Sequence, residues 1–498
     1  MNIKTLLVRV GITLTMALGI SMWLGMSPEI DAQAASLAQP TPINEVFPDP
    51  QMALTMETKL GKASVTDLVS QSELDALTQL RTYLSIESIE GIQYLTNLTE
   101  LNISNAEVSD ISDLKDLTKL TDLEMYQNNI VDISVLKNLT NLTYLDLHDN
   151  KITDISALGN LTNLVHLNLA YNQISDISAV SALSKLNMVW FTENQISDIS
   201  PVANLTNLTS LSLDHNQISD IGALTNLTNL DGLGIDNNQI SDISPIANLT
   251  NLDYVGLHNN QISDLTPIAN LTNLTRMYLS GQQITNKPLP YQNNIVIPNN
   301  VKNNKQEIIA PLVISDNGTY DNPNVTWNLA NYVSEVSYTF SQEVTIGSAT
   351  ETFSGEVKQP LEMYTVSFDV DGVTTKETVG AYTLLTEPTA PEKEGYTFTG
   401  WYDAKTGGTE WDFTTDKMPA KNITLYAQFS LNENSENPPS EETDKGTPSD
   451  TNKKPEVQVE ENVNISLPKT GDSQNSLVIF MGILLLGTGI ISLHKIRH

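Results

Sequence analysis

Four of the six histidines (His148, His166, His215 and His258) share one tract with Trp190, Tyr126, Tyr144, Tyr171, Tyr254 and Tyr278. Carboxylates crowd the same tract: Glu100, Asp122, Glu124, Asp146, Asp149, Glu193, Asp214, Asp231, Asp236 and Asp253. Three chemistries suit such residues. Paired carboxylates can cleave glycosides, clustered imidazoles can hold a metal, and aromatic rings on a rigid face can bury themselves in a partner. The histidines lack paired spacing, so neither a metal nor a cofactor is expected. Acids at this density need no catalytic reason, and no Ser-His-Asp constellation can be placed, so no enzyme is expected. The chain has no cysteine, which excludes a thiol nucleophile, a thiolate zinc site and a disulfide framework. A net charge of −33 argues against nucleic acid, whose phosphates need Lys and Arg.

The elements that must position these residues come from a repeat. Leu98, Leu120, Leu142, Leu164, Leu186, Leu208, Leu230, Leu252 and Leu274 stand 22 apart, giving nine copies of L-x-x-L-x-L-x-x-N-x-I-x-D-I. This is a leucine-rich repeat. Each copy predicts a short strand and a convex return segment, and stacked copies share one continuous core. The Asn column (Asn128, Asn150, Asn172, Asn194, Asn216, Asn238, Asn260) should bond the turn backbone of its own and the next coil; Ala106 and Gln282 break it at the ends. The Asp column from Asp110 to Asp264 reads as capping of the convex turns rather than calcium binding.

Strand alternation sorts the variable slots. Leucines point inward and the intervening residues point to the concave face. Trp190, between inward Val189 and Phe191, therefore projects outward with Met188, His166 and Tyr144 beside it. Tyr126, His148, Tyr171, His215 and His258 are assigned to the same sheet. Gly232, Gly234 and Gly256 predict a shallow trough beyond Trp190, with Tyr254 and Tyr278 on its far side. A partner side chain or loop is expected to enter that trough. The surrounding acids suit a partner with a basic or neutral surface.

The flanks lack the repeat. Residues 35–85 read as a helical cap, with helix starts at Ser64 and Ser72, and 86–285 as the repeats. Residues 286–361 read as a small β-sandwich, 362–430 as a compact β unit, and 431–466 as a disordered, wall-spanning linker rich in Pro, Ser, Asn and acids. Residues 1–34 read as a signal peptide: Lys4 and Arg9, an apolar run over 10–26, and small residues favouring cleavage after Ala34. Residues 467–498 begin "LPKTG" (Leu467, Pro468, Lys469, Thr470, Gly471), followed by an apolar stretch long enough to span a bilayer and the basic tail "HKIRH". The three in order resemble the cell-wall sorting signal of Gram-positive surface proteins. The resemblance implies cleavage by a sortase between Thr470 and Gly471, peptidoglycan joined to Thr470, and only transient contact with the membrane.

The succession resembles the internalin family along nearly the whole chain. The matching parts are the "FPDP…LGKASVTD" cap, the 22-residue repeats, the following β-sandwich, which corresponds to an Ig-like domain, "GYTFTGWYD" (395–403), similar to a B repeat, and the sorting signal. The resemblance implies an α+β repeat solenoid: a horseshoe with a helical N-terminal cap, then Ig-like and small β domains. It further implies a cell-wall-anchored adhesin that holds a host-cell surface protein on its concave face. The alternative is a glycan-binding or structural wall protein, since Trp and Tyr can also stack on sugars. The binding slots vary between family members, so the resemblance names no receptor.

Overall fold

The structure, a computed structural model, describes residues 35–432. The signal segment with Ala34, most of the linker and the sorting signal with Thr470 lie outside the described residues. Ten parallel strands form one sheet, each paired only with its chain neighbours, from Gln79–Thr82 to Arg276–Tyr278. The core is a ladder of leucine, isoleucine and valine side chains with almost no exposure, running unbroken through the coils. Phe191 and Val189 belong to it. Trp190 does not, and it lies half-buried on the opposite side of its strand.

Three devices close each coil. The first is a residue with positive φ just after the strand: Asn105, Gln127, Asp149, Tyr171, Glu193, His215, Asn237 and Asn259, at φ 50 to 56°, then Gly281 at 79°. This left-handed conformation turns the chain out of the sheet, and Asn and Gly adopt it at least cost. The second is the Asn ladder. Asn172 Oδ1 accepts from Ile152 N (2.9 Å), while its Nδ2 donates to Leu147 O (3.1 Å) and to Leu169 O (3.2 Å). The bonds thus join each coil to the preceding one, not to the next. Gln282 extends the ladder instead of breaking it: Oε1 accepts from Ile262 N and Nε2 donates to Leu257 O and Leu279 O. Its amide reaches the same backbone groups as an Asn would. The third device is the Asp column. Asp154 Oδ1, for example, accepts from Ser156 N at 2.8 Å, capping a one-turn convex helix.

The cap is helical, but its starts differ from those expected. The longest helix is Pro50–Leu60, with Asp49 as N-cap, and the last, Gln71–Leu74, starts at Ser70 through a capping box with Glu73. Ser64 lies in a turn whose backbone N–H donates to Asp67, and Ser72 sits inside a helix already begun. Asp49 performs two tasks. One carboxylate oxygen caps the helix; the other accepts from Glu87 N (2.9 Å) and Ser88 N (3.2 Å) of the first partial coil. The apolar side of the cap (Phe47, Met52, Met56) is buried in the same core as the repeats.

Beyond the last coil the chain enters a two-sheet β-sandwich around Trp327, Tyr338, Phe340 and Phe353. Its first strand, Gln282–Thr285, pairs in parallel with Ala349–Glu362, so solenoid and sandwich share this segment. Ser348 N donates to Leu274 O at 2.9 Å. Gly347 beside it has φ +62°, and a Cβ there would lie 2.6 Å from the same carbonyl, which leaves glycine as the fit. A four-stranded sheet over 364–431 follows, with its own small core including Trp401 and Phe368. No helix among the described residues is long and apolar enough to cross a membrane.

Candidate functional site on the concave face

In-register parallel pairing turns the repeat columns into straight rows. One row runs Tyr144, His166, Met188, Ser210, Gly232, Tyr254, Arg276; the next runs Asp146, Asn168, Trp190, Ser212, Gly234, Gly256, Tyr278. Tyr126, His148 and His258 continue the same alternation one step past each strand. Tyr171 and His215 do not lie on the sheet as expected. They hold the left-handed turn position at its edge, with φ 55° and 56°, where a tyrosine is less at ease than Asn or His. Tyr171 is among the more exposed large side chains, at 54%.

The rows assemble two aromatic groups. In the N-terminal half, Tyr126 stacks on His148 (4.5 Å between centroids, 11° between planes) and Tyr144 leans on His166 (5.8 Å). In the C-terminal half, Tyr254 meets Tyr278 edge-on (5.9 Å), and the Arg276 guanidinium lies 5.2 Å from the centre of the Tyr254 ring.

An open concavity lies on the opposite side of Trp190 from the one expected. A groove of about 350 Å³ is lined by Tyr144, His148, Asn168, Ala170, Tyr171, Trp190 and Thr192. The glycine positions are partly filled. A Cβ on Gly234 would lie 2.5 Å from Asp214 Oδ2, and one on Gly256 would lie 2.6 Å from Asp236 Oδ2 and 2.8 Å from the Tyr254 hydroxyl. The glycines make room for the molecule's own carboxylates. Of the three, Gly232 alone has room for a Cβ, with Ser210 Oγ in ordinary contact at 3.7 Å. Asn168, Ala170 and Thr192 were not singled out from the sequence. The signal was present, since Ala170 is the small residue between His148 and Thr192 in its column, and its size opens the groove.

Hydrogen bonds fix the acids. Asp214 Oδ1 accepts from Asp236 N (2.9 Å) and Oδ2 accepts from Ser212 Oγ (2.6 Å). Asp236 Oδ1 accepts from His258 N. Burial, with the Asp214 charge adding, pushes the Asp236 carboxyl up to about 6 although the His258 N–H favours its ionised form. Burial likewise raises Glu124, partly countered by Arg81 and reinforced by Asp146, Asp122 and Glu100. Asp146 is buried: Oδ1 meets His148 Nδ1 at 2.7 Å, and Oδ2 accepts from Asn168 Nδ2 at 3.2 Å. His215 Nδ1 lies 3.3 Å from Glu193 Oε1, and His258 Nδ1 lies 2.8 Å from Ser280 Oγ. Among the described residues no group of three or more His, Asp or Glu side chains is arranged to hold a metal ion. The arrangement can therefore do recognition chemistry: rings, a groove and fixed negative charge on a stiff sheet.

Four family descriptions match the chain in order. Residues 30–75 match Bacterial adhesion/invasion protein N terminal; overlapping stretches between 96 and 275 match Leucine Rich repeats; 307–362 match LRR adjacent; 364–428 match the Listeria-Bacteroides repeat domain. None of these describes an enzyme. Among curated proteins, Internalin H of Listeria monocytogenes is 65% identical over 152 residues, which is 30% of this chain and 28% of that protein. Internalin C of the same species is 38% identical over 81 residues, 16% of this chain and 27% of that protein. The chain thus spans under a third of the length of these curated relatives. Among solved structures, the Listeria monocytogenes internalin InlF is 46% identical, with 51% of this chain and 75% of that one covered and a TM-score of 0.49. Internalin C2 of that species is 41% identical, with 49% of this chain and 99% of that one covered and a TM-score of 0.39.

Proposed function

Because the chain belongs to the internalin family, we propose that it is a cell-wall-anchored adhesin that holds a host-cell surface protein on its concave face. The family is one of surface proteins of the adhesion and invasion type. The observation that carries the finer reading is the aromatic groove beside Trp190. Rings partly open to solvent on a rigid sheet are costly for solubility and typical of interface hot spots. The long continuous core supports the reading, because a stiff sheet loses little entropy when a partner docks. The protein carries out no chemistry in this account.

The test is binding of the secreted protein to intact host cells, comparing the parent with Trp190→Ala. Truncating a buried aromatic anchor costs about 2 kcal/mol or more, roughly a thirtyfold loss of affinity. Unchanged binding by the variant removes the concave face from the account. Binding that disappears when the cells are deglycosylated supports the glycan-binding alternative instead. Anchoring is tested separately. Deleting 467–471 should release the protein to the medium or leave it in the membrane, and persistence with peptidoglycan contradicts attachment through Thr470.

A further inference from the structure

We propose that the groove beside Trp190 receives an arginine side chain of the partner protein, an inference that rests on the concave face being the binding face. Three observations converge on a guanidinium. The groove is lined by the aromatic residues Trp190, Tyr144 and Tyr171, and indole and phenol rings attract a cation held over them, arginine more often than lysine. A carboxylate backs its polar wall. Asp146 reaches two lining residues, His148 and Asn168, yet its Oδ2 accepts one bond only, from Asn168 at 3.2 Å. A carboxylate oxygen has room for another donor. Glu124 stands in register beside Asp146, and Asp149 and Glu193 occupy the neighbouring turn positions.

No arginine or lysine lines the groove; the basic side chains near these acids are His148 at Asp146, His215 at Glu193 and, farther off, Arg81 toward Glu124. Among the concave positions of the sheet, arginine occurs only at its two ends, Arg81 and Arg276, and lysine at none. Both are paired, Arg81 with Glu100 at 3.1 Å and Arg276 with Asp253 at 3.7 Å. The C-terminal end moreover displays the proposed arrangement within the molecule itself. There Arg276 lies over the Tyr254 ring while pairing with an aspartate. The groove has rings in its lining and the Asp146 carboxylate directly behind two lining residues, His148 and Asn168, without an arginine. A planar, weakly hydrated guanidinium can stack on a ring and still donate in its plane to a carboxylate, which a lysine ammonium cannot do.

The experiment titrates the full chain, isotope-labelled at its tryptophan indoles and kept soluble with mild detergent, with N-acetyl-arginine amide, N-acetyl-lysine amide and N-acetyl-leucine amide. The Trp190 indole resonance is identified by its loss in Trp190→Phe. The arginine compound should shift it saturably, about tenfold more tightly than the lysine compound, and the leucine compound should not shift it. Asp146→Asn should weaken the arginine response about tenfold, equivalent to about 1.4 kcal/mol. Should that variant fail to fold, Glu193→Gln combined with Asp149→Asn should weaken the response in the same direction. Equal response to lysine, a response to leucine, or no shift at all overturns the proposal. Host-cell binding that depends on Trp190 without any arginine response leaves the adhesin reading standing and removes this one. An arginine response without Trp190-dependent cell binding does the reverse.

Discussion

The two halves of the concave sheet are built from the same repeat and end in different surfaces. In the N-terminal half the variable slots carry tyrosine, histidine and tryptophan, and a groove remains open between them. In the C-terminal half the corresponding slots carry serine and glycine, and the carboxylates of Asp214 and Asp236 lie back over them. The Arg276 side chain covers Tyr254. One half leaves a groove open among its rings; the other fills the corresponding space with its own carboxylates. A repeat scaffold makes this possible because the core and ladder positions are decoupled from the outward slots.

The comparison predicts that damage beneath the surface is indifferent to the half in which it falls. Phe191 and Ile235 occupy the same inward column, both without exposure. Phe191→Ala should lose about 3–5 kcal/mol and Ile235→Ala about 2–5 kcal/mol in a chemical-denaturation experiment. Either variant retaining parent stability would show that the coils do not share one core.

A smaller effect separates positions within the C-terminal half. Gly234→Ala places a methyl against Asp214, whose two oxygens are already hydrogen-bonded. It should cost about 1–3 kcal/mol. Gly232→Ala meets only an ordinary contact, Ser210 Oγ at 3.7 Å, and should be neutral or stabilising by up to about 1 kcal/mol. Equal melting temperatures for the two variants would mean that the glycine positions form an open trough after all.

Acid sensitivity gives a finer distinction. The Asp236 carboxyl titrates at about 6 in the folded protein, above its ordinary 3.8, so folding favours its protonated form. Its contribution to stability is fully present below about 3.8 and is lost as the pH rises through about 6. Asp236→Asn keeps an oxygen for the His258 N–H and cannot ionise. The variant should therefore gain melting temperature relative to the parent near pH 7 and lose that advantage near pH 4. An advantage independent of pH would place its origin elsewhere.

Much of this architecture was legible because the repeat has a fixed period. Nine leucines at one spacing fix which residues face inward, and Trp190 follows from Val189 and Phe191 on either side. The groove was misplaced because alternation gives the face of a side chain and not its torsions. Asp214 and Asp236 could have pointed to solvent; backbone N–H groups one coil away draw them over the glycines. Tyr171 and His215 were assigned to the sheet because the turn conformation is invisible when the residue that adopts it is neither Asn nor Gly. Gln282 was read as a break because its extra methylene hides an equivalent amide. Ser64 and Ser72 were taken as helix starts on residue type alone, whereas Asp49 accepts from Gln51 N and the Ser70 N–H donates to the Glu73 carboxylate.

The most direct test of the central claim compares one ring from each half. Trp190→Ala and Tyr254→Ala both remove a partly buried aromatic from the same face of the same sheet. Binding of each variant and of the parent to host cells, alongside the melting temperature of each, decides the matter. The account predicts a roughly thirtyfold loss for Trp190→Ala, a change of less than about threefold for Tyr254→Ala, and folded protein in both cases. Equal losses would contradict the division of the sheet into an open and a self-filled half. Parent-like binding by folded Trp190→Ala would contradict the concave groove as the place where a partner is held.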